Sequence, residues 1–455
     1  MENFEIRERI TGLPVVNFHA AGIDIGSREM WVTYTNREGK VCQFRTGSFT
    51  ENLEEITRVL VRDGITDVAM ESTGIYGGPL REQLEVAGIN VTVINPSMYK
   101  KPEMKNDSND STWIHLYHSV DLFKKSHFAP EHWRDLREYI HEREVVVTQK
   151  AQTLTRINRQ LSMMNVKIQN VVSDIEGVGA MKVIEAIAKG ETDPEKLIKL
   201  LNINLFKASR EELVASLNGN YRLGLINVLK EKLAEYNFFV SQMRKYEQYI
   251  IDMLEEISKL EEQMRLVQGK PEKEFGKPSN KKPRKNEYAF EGKRYLIRIL
   301  GIDLTKVEGL DVKTILTVLS VTGTDMSKWK TAESFAAWFS LSPRPNRTGG
   351  KTVGYDHRKT TNPATQALRL AARALHNSHG RLGDMYRKIL YRKGPRTAIK
   401  AVARKLAILL YTLIKNGTEF SEDFYKKEEK KQAFRDELKL LKLAKKLGYE
   451  VSKTG

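Results

Sequence analysis

Residues 22–27, Gly-Ile-Asp-Ile-Gly-Ser, are the stretch around which the first part of the chain is organised. This short apolar run carries one acidic side chain, Asp24, and ends in glycine and serine. An aspartate inside a β-strand lowers stability unless a metal ion or hydrogen-bond donors compensate its charge. Asp24 is therefore a candidate functional residue. The alternative is an acid that ends a strand in a turn.

The sequence on both sides of Asp24 predicts a mixed α/β domain. Three runs rich in β-branched and aromatic residues predict a three-stranded meander: 22–25, 30–35 and 41–44. Helical spacing at 53–60, a strand-like run at 67–74, a helix near 80–86 and a strand at 91–94 follow. This order is compatible with a ribonuclease-H-like arrangement, in which carboxylates on neighbouring strands converge at one edge. Asp24 and Glu71 would then be adjacent.

Two further acids, Asp107 and Asp110, stand three residues apart at the start of a predicted helix. Both could lie on one face of its first turn. One of them could instead cap the helix. A cation stabilises two such close carboxylates better than water does, and oxygen ligands favour Mg²⁺ or Mn²⁺ over zinc.

The charge of the chain indicates a polyanionic partner. The 455 residues include 75 Lys and Arg against 58 Asp and Glu, a formal charge of +17, and the pI is about 9.5. Nucleic acid fits better than a membrane because no apolar run approaches the ~18 residues of a spanning helix. The alternative is a soluble basic protein without such a partner.

The single cysteine, Cys42, excludes an internal disulfide framework and a cysteine-based zinc site. We therefore expect a cytoplasmic protein. The first five residues, Met-Glu-Asn-Phe-Glu, carry acids where a signal peptide has a basic start, so no export signal is expected.

The rest of the chain predicts mainly helical structure. We expect a first domain over 1–130 and a central helical region over 131–268. Apolar stripes in its two long helices, at alternating spacings of three and four in the second, are typical of a coiled coil. The helices could pack on each other or on a second protomer. A basic flexible linker over 269–290, a C-terminal domain over 291–425 and a charged helical tail over 426–455 complete the prediction.

Four segments of the sequence together resemble the DEDD insertion-sequence transposases, the bridge-RNA-guided recombinases. They are Gly-Ile-Asp-Ile-Gly-Ser, Met-Glu-Ser-Thr-Gly-Ile-Tyr (70–76), Val-Ile-Asn-Pro (93–96) and Lys-Asn-Asp-Ser-Asn-Asp-Ser (105–111). The resemblance implies a RuvC-like first domain and a C-terminal transposase domain. It also implies that Asp24, Glu71, Asp107 and Asp110 form a catalytic tetrad that binds Mg²⁺ or Mn²⁺.

In that family a serine in a glycine-containing loop of the C-terminal domain attacks DNA, and Thr348 stands at the matching position here. Threonine keeps the hydroxyl, but its methyl group stiffens χ1 and crowds an in-line attack. A natural variant, a degenerate copy and a laboratory substitution are three explanations. The candidate cations for phosphate binding lie on both sides of Thr348 in the sequence: Arg344, Arg347, Lys351, Arg358, Lys359, Arg369 and Arg373.

The leading hypothesis is a metal-dependent transposase that cuts and rejoins insertion-sequence DNA. The resemblance implies a homo-tetramer, a dimer of dimers, with a structured guide RNA that pairs with donor and target DNA. One alternative is a RuvC-like nuclease or junction resolvase in which water attacks and Thr348 is structural. The other is a non-catalytic nucleic-acid-binding derivative.

Overall fold

The computed structural model describes residues 12–71, 75–94, 107–123, 129–267, 286–356 and 362–421, and single positions between 434 and 449. The side chains of residues 107–109, 266, 267, 344, 355 and 356 lie outside this description. The chain forms two compact units, Met1–Phe128 and Ala129–Gly455.

A five-stranded mixed sheet forms the centre of the first unit. Its strands, in the spatial order β3-β2-β1-β4-β5, are β1 (Ala20–Ile25), β2 (Glu29–Thr35), β3 (Val41–Gly47), β4 (Asp67–Glu71) and β5 (Asn90–Ile94). The first three pair antiparallel, while β4 and β5 continue from β1 in parallel. The predicted meander and α/β alternation are confirmed, and the sheet has the arrangement expected of a RuvC-like domain.

Alternation along β1 separates two layers of helices. Ala21, Ile23 and Ile25 lie in one core with side chains of α1 (Thr50–Arg62) and α2 (Gly78–Val86). The intervening residues of β1 face the opposite side, which helix α3 (Asp107–Ser119) covers. The sheet thus has an apolar face under α1 and α2 and a second face under α3.

Helix α3 lies unusually close to β1 at Gly22. A Cβ on Gly22 would lie 2.1 Å from the backbone nitrogen of His115 and 2.6 Å from the carbonyl oxygen of Ser111. Hydrogen bonds between Thr33 and Ser111 (2.8 Å) and between Thr35 and His115 (3.1 Å) hold α3 over β2. Only glycine permits this approach of helix and strand.

Two long helices organise the second unit. They are α4 (Glu131–Met163) and, after the shorter α5 (Val178–Ala188), α6 (Pro194–Ile198) and α7 (Arg210–Ser216), helix α8 (Leu223–Val267). Arg143 bonds to Glu247, and Arg156 to Glu235, so contacts advance along α4 as they recede along α8. The sequence left open whether the long helices meet each other or a second protomer. They pack on each other as an antiparallel pair.

Each end of this helix pair has its own core. The C-terminal end of α4 and the N-terminal end of α8 share a core with α5, α6 and α7. At the other end, Trp133 and Leu136 of α4 share a core with Leu254 and Ile257 of α8 and with the C-terminal helices. The central and C-terminal helices therefore meet in one compact unit, although the sequence predicts them as separate regions.

The C-terminal part of this unit is mainly helical, as predicted. Its helices are α9 (Gly292–Leu300), α10 (Val312–Thr322), α11 (Ala332–Trp338), α12 (Pro363–Ala374), α13 (Arg381–Lys393) and α14 (Pro395–Asn416). Helix α14 packs against α11, α12 and α13. Strands β6 (Arg344–Thr348) and β7 (Lys351–Asp356) form an antiparallel hairpin between α11 and α12. Among the described helices, none has the length and apolarity needed to cross a membrane.

A buried arginine joins the two long helices to the chain that precedes α9. The Arg143 side chain is fully buried and donates to Glu247 (2.7 Å) and to the carbonyl oxygens of Asn286 (3.2 Å) and Glu287 (2.9 Å). Its guanidinium carbon also lies 4.5 Å from the ring centre of Tyr288. The end of the predicted flexible linker is thus packed against α4 and α8. Residues 268–285 and most of the predicted tail lie outside the described part of the chain.

We predict that Gly22→Ala destabilises the first unit by about 3 kcal/mol, because the new methyl group would overlap the backbone of α3. Hydrogen–deuterium exchange of peptides from β1 and α3 measures the opening free energy of this unit. Gly78→Ala is the control, since nothing lies within 4 Å of a Cβ at that position. Unchanged protection in Gly22→Ala would contradict the close packing of α3 on β1.

Candidate active site

Two of the predicted acids occupy equivalent positions at the ends of neighbouring parallel strands. The last paired residues of β1 and β4 are Ile23 and Met70, and Asp24 and Glu71 are the next residue on each strand. Met70 lies in the core with α1 and α2, so alternation directs Glu71 to the face that α3 covers. Asp24 is directed to the same face because Ile23 and Ile25 share that core. The structure thus brings Asp24 and Glu71 together.

The third and fourth predicted acids lie at the beginning of α3. The carbonyl oxygen of Ser119, at the end of α3, accepts hydrogen bonds from the chain that precedes β1, whereas Ser111 lies over Gly22. Helix α3 therefore runs antiparallel to β1, and its first turn lies towards the end of β1 that carries the acid. Asp110 is partly buried in this turn. Asp107 is the first residue of α3, and its side chain lies outside the described part.

The burial of Glu71 is unusual for a carboxylate. Glu71 is only 6% exposed, and Asp24 is partly buried. Removing a carboxylate from water is costly unless a charge or hydrogen-bond donor compensates for it. Placing two of them side by side adds repulsion between like charges. A site with these properties suits a divalent cation.

The donor set is chemically suited to Mg²⁺ or Mn²⁺. Asp24, Glu71 and Asp110 offer only oxygen ligands, which these hard cations prefer. Zinc sites seldom consist of oxygen ligands alone. Within the described part of the chain, no group of three or more His, Cys, Asp or Glu side chains is arranged to hold a metal ion. A complete metal site would therefore need the Asp107 side chain or a rearrangement of the first turn of α3.

The sheet places two further side chains beside Asp24 that the sequence did not single out. Trp31 is the residue paired with Asp24 on β2, and Arg45 is paired with Trp31 on β3. The Arg45 guanidinium carbon lies 5.8 Å from the centre of the Trp31 ring. Asp24, Trp31 and Arg45 thus form a row across three neighbouring strands. Only the strand register reveals this row, because the three residues lie on three different strands.

Thr348 lies at the tip of the β6–β7 hairpin rather than in an irregular loop. It pairs with Lys351 across a two-residue turn, and both turn residues, Gly349 and Gly350, have positive φ values of 55° and 77°. Two consecutive glycines suit such a turn because they adopt positive φ without steric strain. The sequence prediction of a loop missed the strands, since Arg-Pro-Asn-Arg-Thr lacks the apolar alternation that marks a half-buried strand.

The hairpin is exposed on both of its faces. Residues 345–353 are all exposed, including Thr348, Arg347 and Lys351. A two-stranded ribbon without a buried face has little intrinsic stability in water. The Thr348 hydroxyl is therefore accessible to a macromolecular partner, with a cation next to it on each strand.

The other predicted phosphate-binding residues have different positions. Arg344 begins β6, but its side chain lies outside the described part, as do Arg358 and Lys359 entirely. On α12, Arg373 is exposed, whereas Arg369 is partly buried. The candidates that are exposed in the described structure are therefore Arg347, Lys351 and Arg373.

Two family models match the chain. A model described as DEDD_Tnp_IS110 transposase matches residues 21–166, a range that contains all four predicted acids. A model described as transposase of the IS116/IS110/IS902 family matches residues 303–387, a range that contains the hairpin and Thr348. Among curated proteins, none matches the chain significantly.

The two matches follow each other in the order found here, with the acids in the first unit and the threonine hairpin in the second. They agree with the mixed sheet of the first unit and the helical C-terminal part of the second. The chain belongs to the IS110 family of DEDD transposases.

Proposed function

We propose that this transposase cuts and rejoins insertion-sequence DNA in a metal-dependent reaction in which Thr348 is the nucleophile. The observation that carries the proposal is the position of Asp24 and Glu71 at equivalent ends of two parallel strands, on the face covered by α3. Asp110 lies in the first turn of that helix. Carboxylates gathered in this way are the usual protein contribution to phosphodiester chemistry with divalent cations.

The reaction conserves the number of phosphate ester bonds. The Thr348 Oγ1 attacks a DNA phosphorus atom and loses its proton, while the bond from phosphorus to the leaving deoxyribose oxygen breaks and that oxygen gains a proton. A DNA hydroxyl then attacks the threonine phosphate ester, which restores a phosphodiester and frees Thr348. No external energy source is required for rejoining.

The charged side chains have separate roles in this reaction. The four acids Asp24, Glu71, Asp107 and Asp110 would hold Mg²⁺ or Mn²⁺, which supplies Lewis-acid activation and neutralises charge on the phosphate. The two cations next to the hydroxyl in the hairpin, Arg347 and Lys351, would bind the DNA backbone. The formation of a homo-tetramer, a dimer of dimers, follows from the family resemblance alone and is part of the proposal.

A structured guide RNA would select the donor and target DNA by base pairing. Base pairing can carry sequence choice while the protein binds backbones and performs chemistry. The formal charge of +17 supports such a role, because binding to several nucleic-acid strands requires many cations. The alternative, a RuvC-like nuclease or junction resolvase, uses water instead of Thr348 and forms no protein–DNA adduct.

We predict that Glu71→Gln lowers the rate of Mg²⁺-dependent DNA strand cleavage by about 100-fold or more, because it removes a negatively charged ligand. Asp67→Asn is the matched control, since Asp67 begins the same strand at the end remote from Asp24. The measurement is the single-turnover cleavage rate on element-end DNA with its RNA. Equal rates for Glu71→Gln and wild type would overturn the metal site, and an inactive wild type would support the non-catalytic alternative.

We predict that the protein forms a denaturation-resistant adduct with DNA and that Thr348→Ala abolishes it. Thr348→Ser should form the adduct at least as fast, because serine lacks the methyl group that restricts χ1. Thr352→Ala, which removes another exposed hydroxyl of the hairpin, should leave the adduct intact. Denaturing gel electrophoresis with labelled DNA detects it. Adduct formation by Thr348→Ala would exclude Thr348 as the nucleophile.

We predict that RNA from the flanks of the element copurifies with the protein and binds about tenfold more tightly than tRNA, or better, as expected of specific over non-specific binding. Sequencing of the copurified nucleic acid and a competition binding assay measure both properties. If the protein carries no such RNA and binds it no better than tRNA, the guide-RNA part of the proposal fails while the cleavage predictions remain testable.

A further inference from the structure

The segment from residue 385 to residue 418 contains no acidic residue. It contains nine cations: Arg387, Lys388, Arg392, Lys393, Arg396, Lys400, Arg404, Lys405 and Lys415. This segment spans most of α13 and all of α14. Such a one-sided charge distribution concentrates positive potential on one part of the unit. Neither family model covers most of this segment, because the second match stops at residue 387.

The cations at the corner between α13 and α14 are exposed. Lys388, Arg392, Lys393 and Arg396 are all exposed, and none forms an ion pair with another described residue. Arg387 differs, because it donates to the carbonyl oxygen of His376 (2.9 Å) and pairs with an acid one turn earlier on α13. Arg387 thus has a structural role, whereas the four exposed cations form no ion pair with a described residue.

Tyr391 follows Lys388 by three residues, so both lie on one face of α13, and Tyr391 is 94% exposed. Tyr386, on the same helix, is buried in the core. Helix α13 therefore uses one tyrosine for packing and presents the other to solvent. Gly394, with φ of 78°, is the single residue between the end of α13 and the start of α14, so only four residues of chain separate Tyr391 from Arg396.

An exposed aromatic ring with exposed cations at nearby positions of the chain fits a single-stranded nucleic acid. Bases that are not stacked in a duplex can stack on tyrosine, while arginine and lysine bind the phosphates on either side. Duplex DNA offers phosphates, but its bases are stacked inside the helix. A folded RNA presents unpaired bases in its loops without a cost for melting.

We propose that the α13–α14 corner, defined as Lys388, Tyr391, Arg392, Lys393 and Arg396, binds an unpaired loop of a folded RNA. One base stacks on the Tyr391 ring, and the four cations bind the adjacent phosphates. The inference rests on the proposed function in that the guide RNA is the source of the loop. Binding itself requires neither the carboxylates nor the hairpin hydroxyl.

The test uses the full-length protein in EDTA, where cleavage does not interfere. The probe is a fluorescein-labelled RNA hairpin with a purine-rich unpaired loop, and fluorescence anisotropy gives its affinity at several salt concentrations. Tyr391→Ala should weaken binding about tenfold without changing the salt dependence, because stacking is not ionic. Arg392→Ala and Lys393→Ala should each reduce the slope of log affinity against log salt by about 0.7. Tyr391→Phe should bind like wild type.

Two substitutions elsewhere in the second unit are matched controls. Tyr249→Ala removes a half-exposed tyrosine of α8, and Arg137→Ala removes a partly exposed arginine that pairs with Glu138. Neither should change RNA affinity by more than about twofold, since neither residue belongs to the α13–α14 corner. Wild-type affinity in Tyr391→Ala would overturn the proposal. Competition by duplex DNA as effective as that by the unlabelled hairpin would also overturn it.

The outcomes separate this inference from the proposed function. If Tyr391→Ala loses RNA binding but the wild-type protein never cleaves DNA, the reaction proposed above fails and the RNA-binding corner stands. If the wild-type protein cleaves DNA and Tyr391→Ala binds the hairpin like wild type, only the RNA-binding corner fails.

Discussion

The close approach of α3 to β1 at Gly22 is the constraint on which the candidate active site depends. Because residue 22 has no Cβ, the backbone of Ser111 and His115 can lie directly against the strand. Hydrogen bonds with two threonines of β2 then fix the helix over the sheet. This packing directs the first turn of α3 towards Asp24 and Glu71. A side chain at residue 22 would separate the helix-borne acid from the strand-borne acids.

The structure divides the many cations of this basic chain into two groups. Some form contacts within the protein. Arg143 donates hydrogen bonds to Glu247 and to backbone carbonyl oxygens of the second unit, and Arg387 donates to a carbonyl oxygen of the segment before α13. Others, such as Arg347 and Lys393, are exposed. The acid in a buried ion pair mainly offsets the free-energy cost of burying the cation. Exposed cations remain available to bind phosphates. Net charge alone does not distinguish these groups.

The hairpin that carries Thr348 combines a defined backbone with full exposure. Gly349 and Gly350 allow the tight turn, and the strand pairing fixes Thr348 opposite Lys351. Since neither face of the ribbon is buried, the hydroxyl is presented by backbone hydrogen bonds and not by a core. This arrangement suits a nucleophile that must reach a phosphate on a large substrate.

The sequence determined the strands and helices of the first unit, the identity of its acids and the family, because these depend on local periodicity and on motifs of adjacent residues. It did not determine the pairing of the long helices, since an apolar stripe fits a partner in the same chain as well as one in another. It also missed the row of Asp24, Trp31 and Arg45, which strand register alone creates. Tyr386 lies on the apolar stripe of its helix with Leu382, and Tyr391 lies off this stripe, but only the structure shows that the stripe is covered and that Tyr391 is exposed. Only the tertiary structure decides which face of a helix is covered and which strands are neighbours.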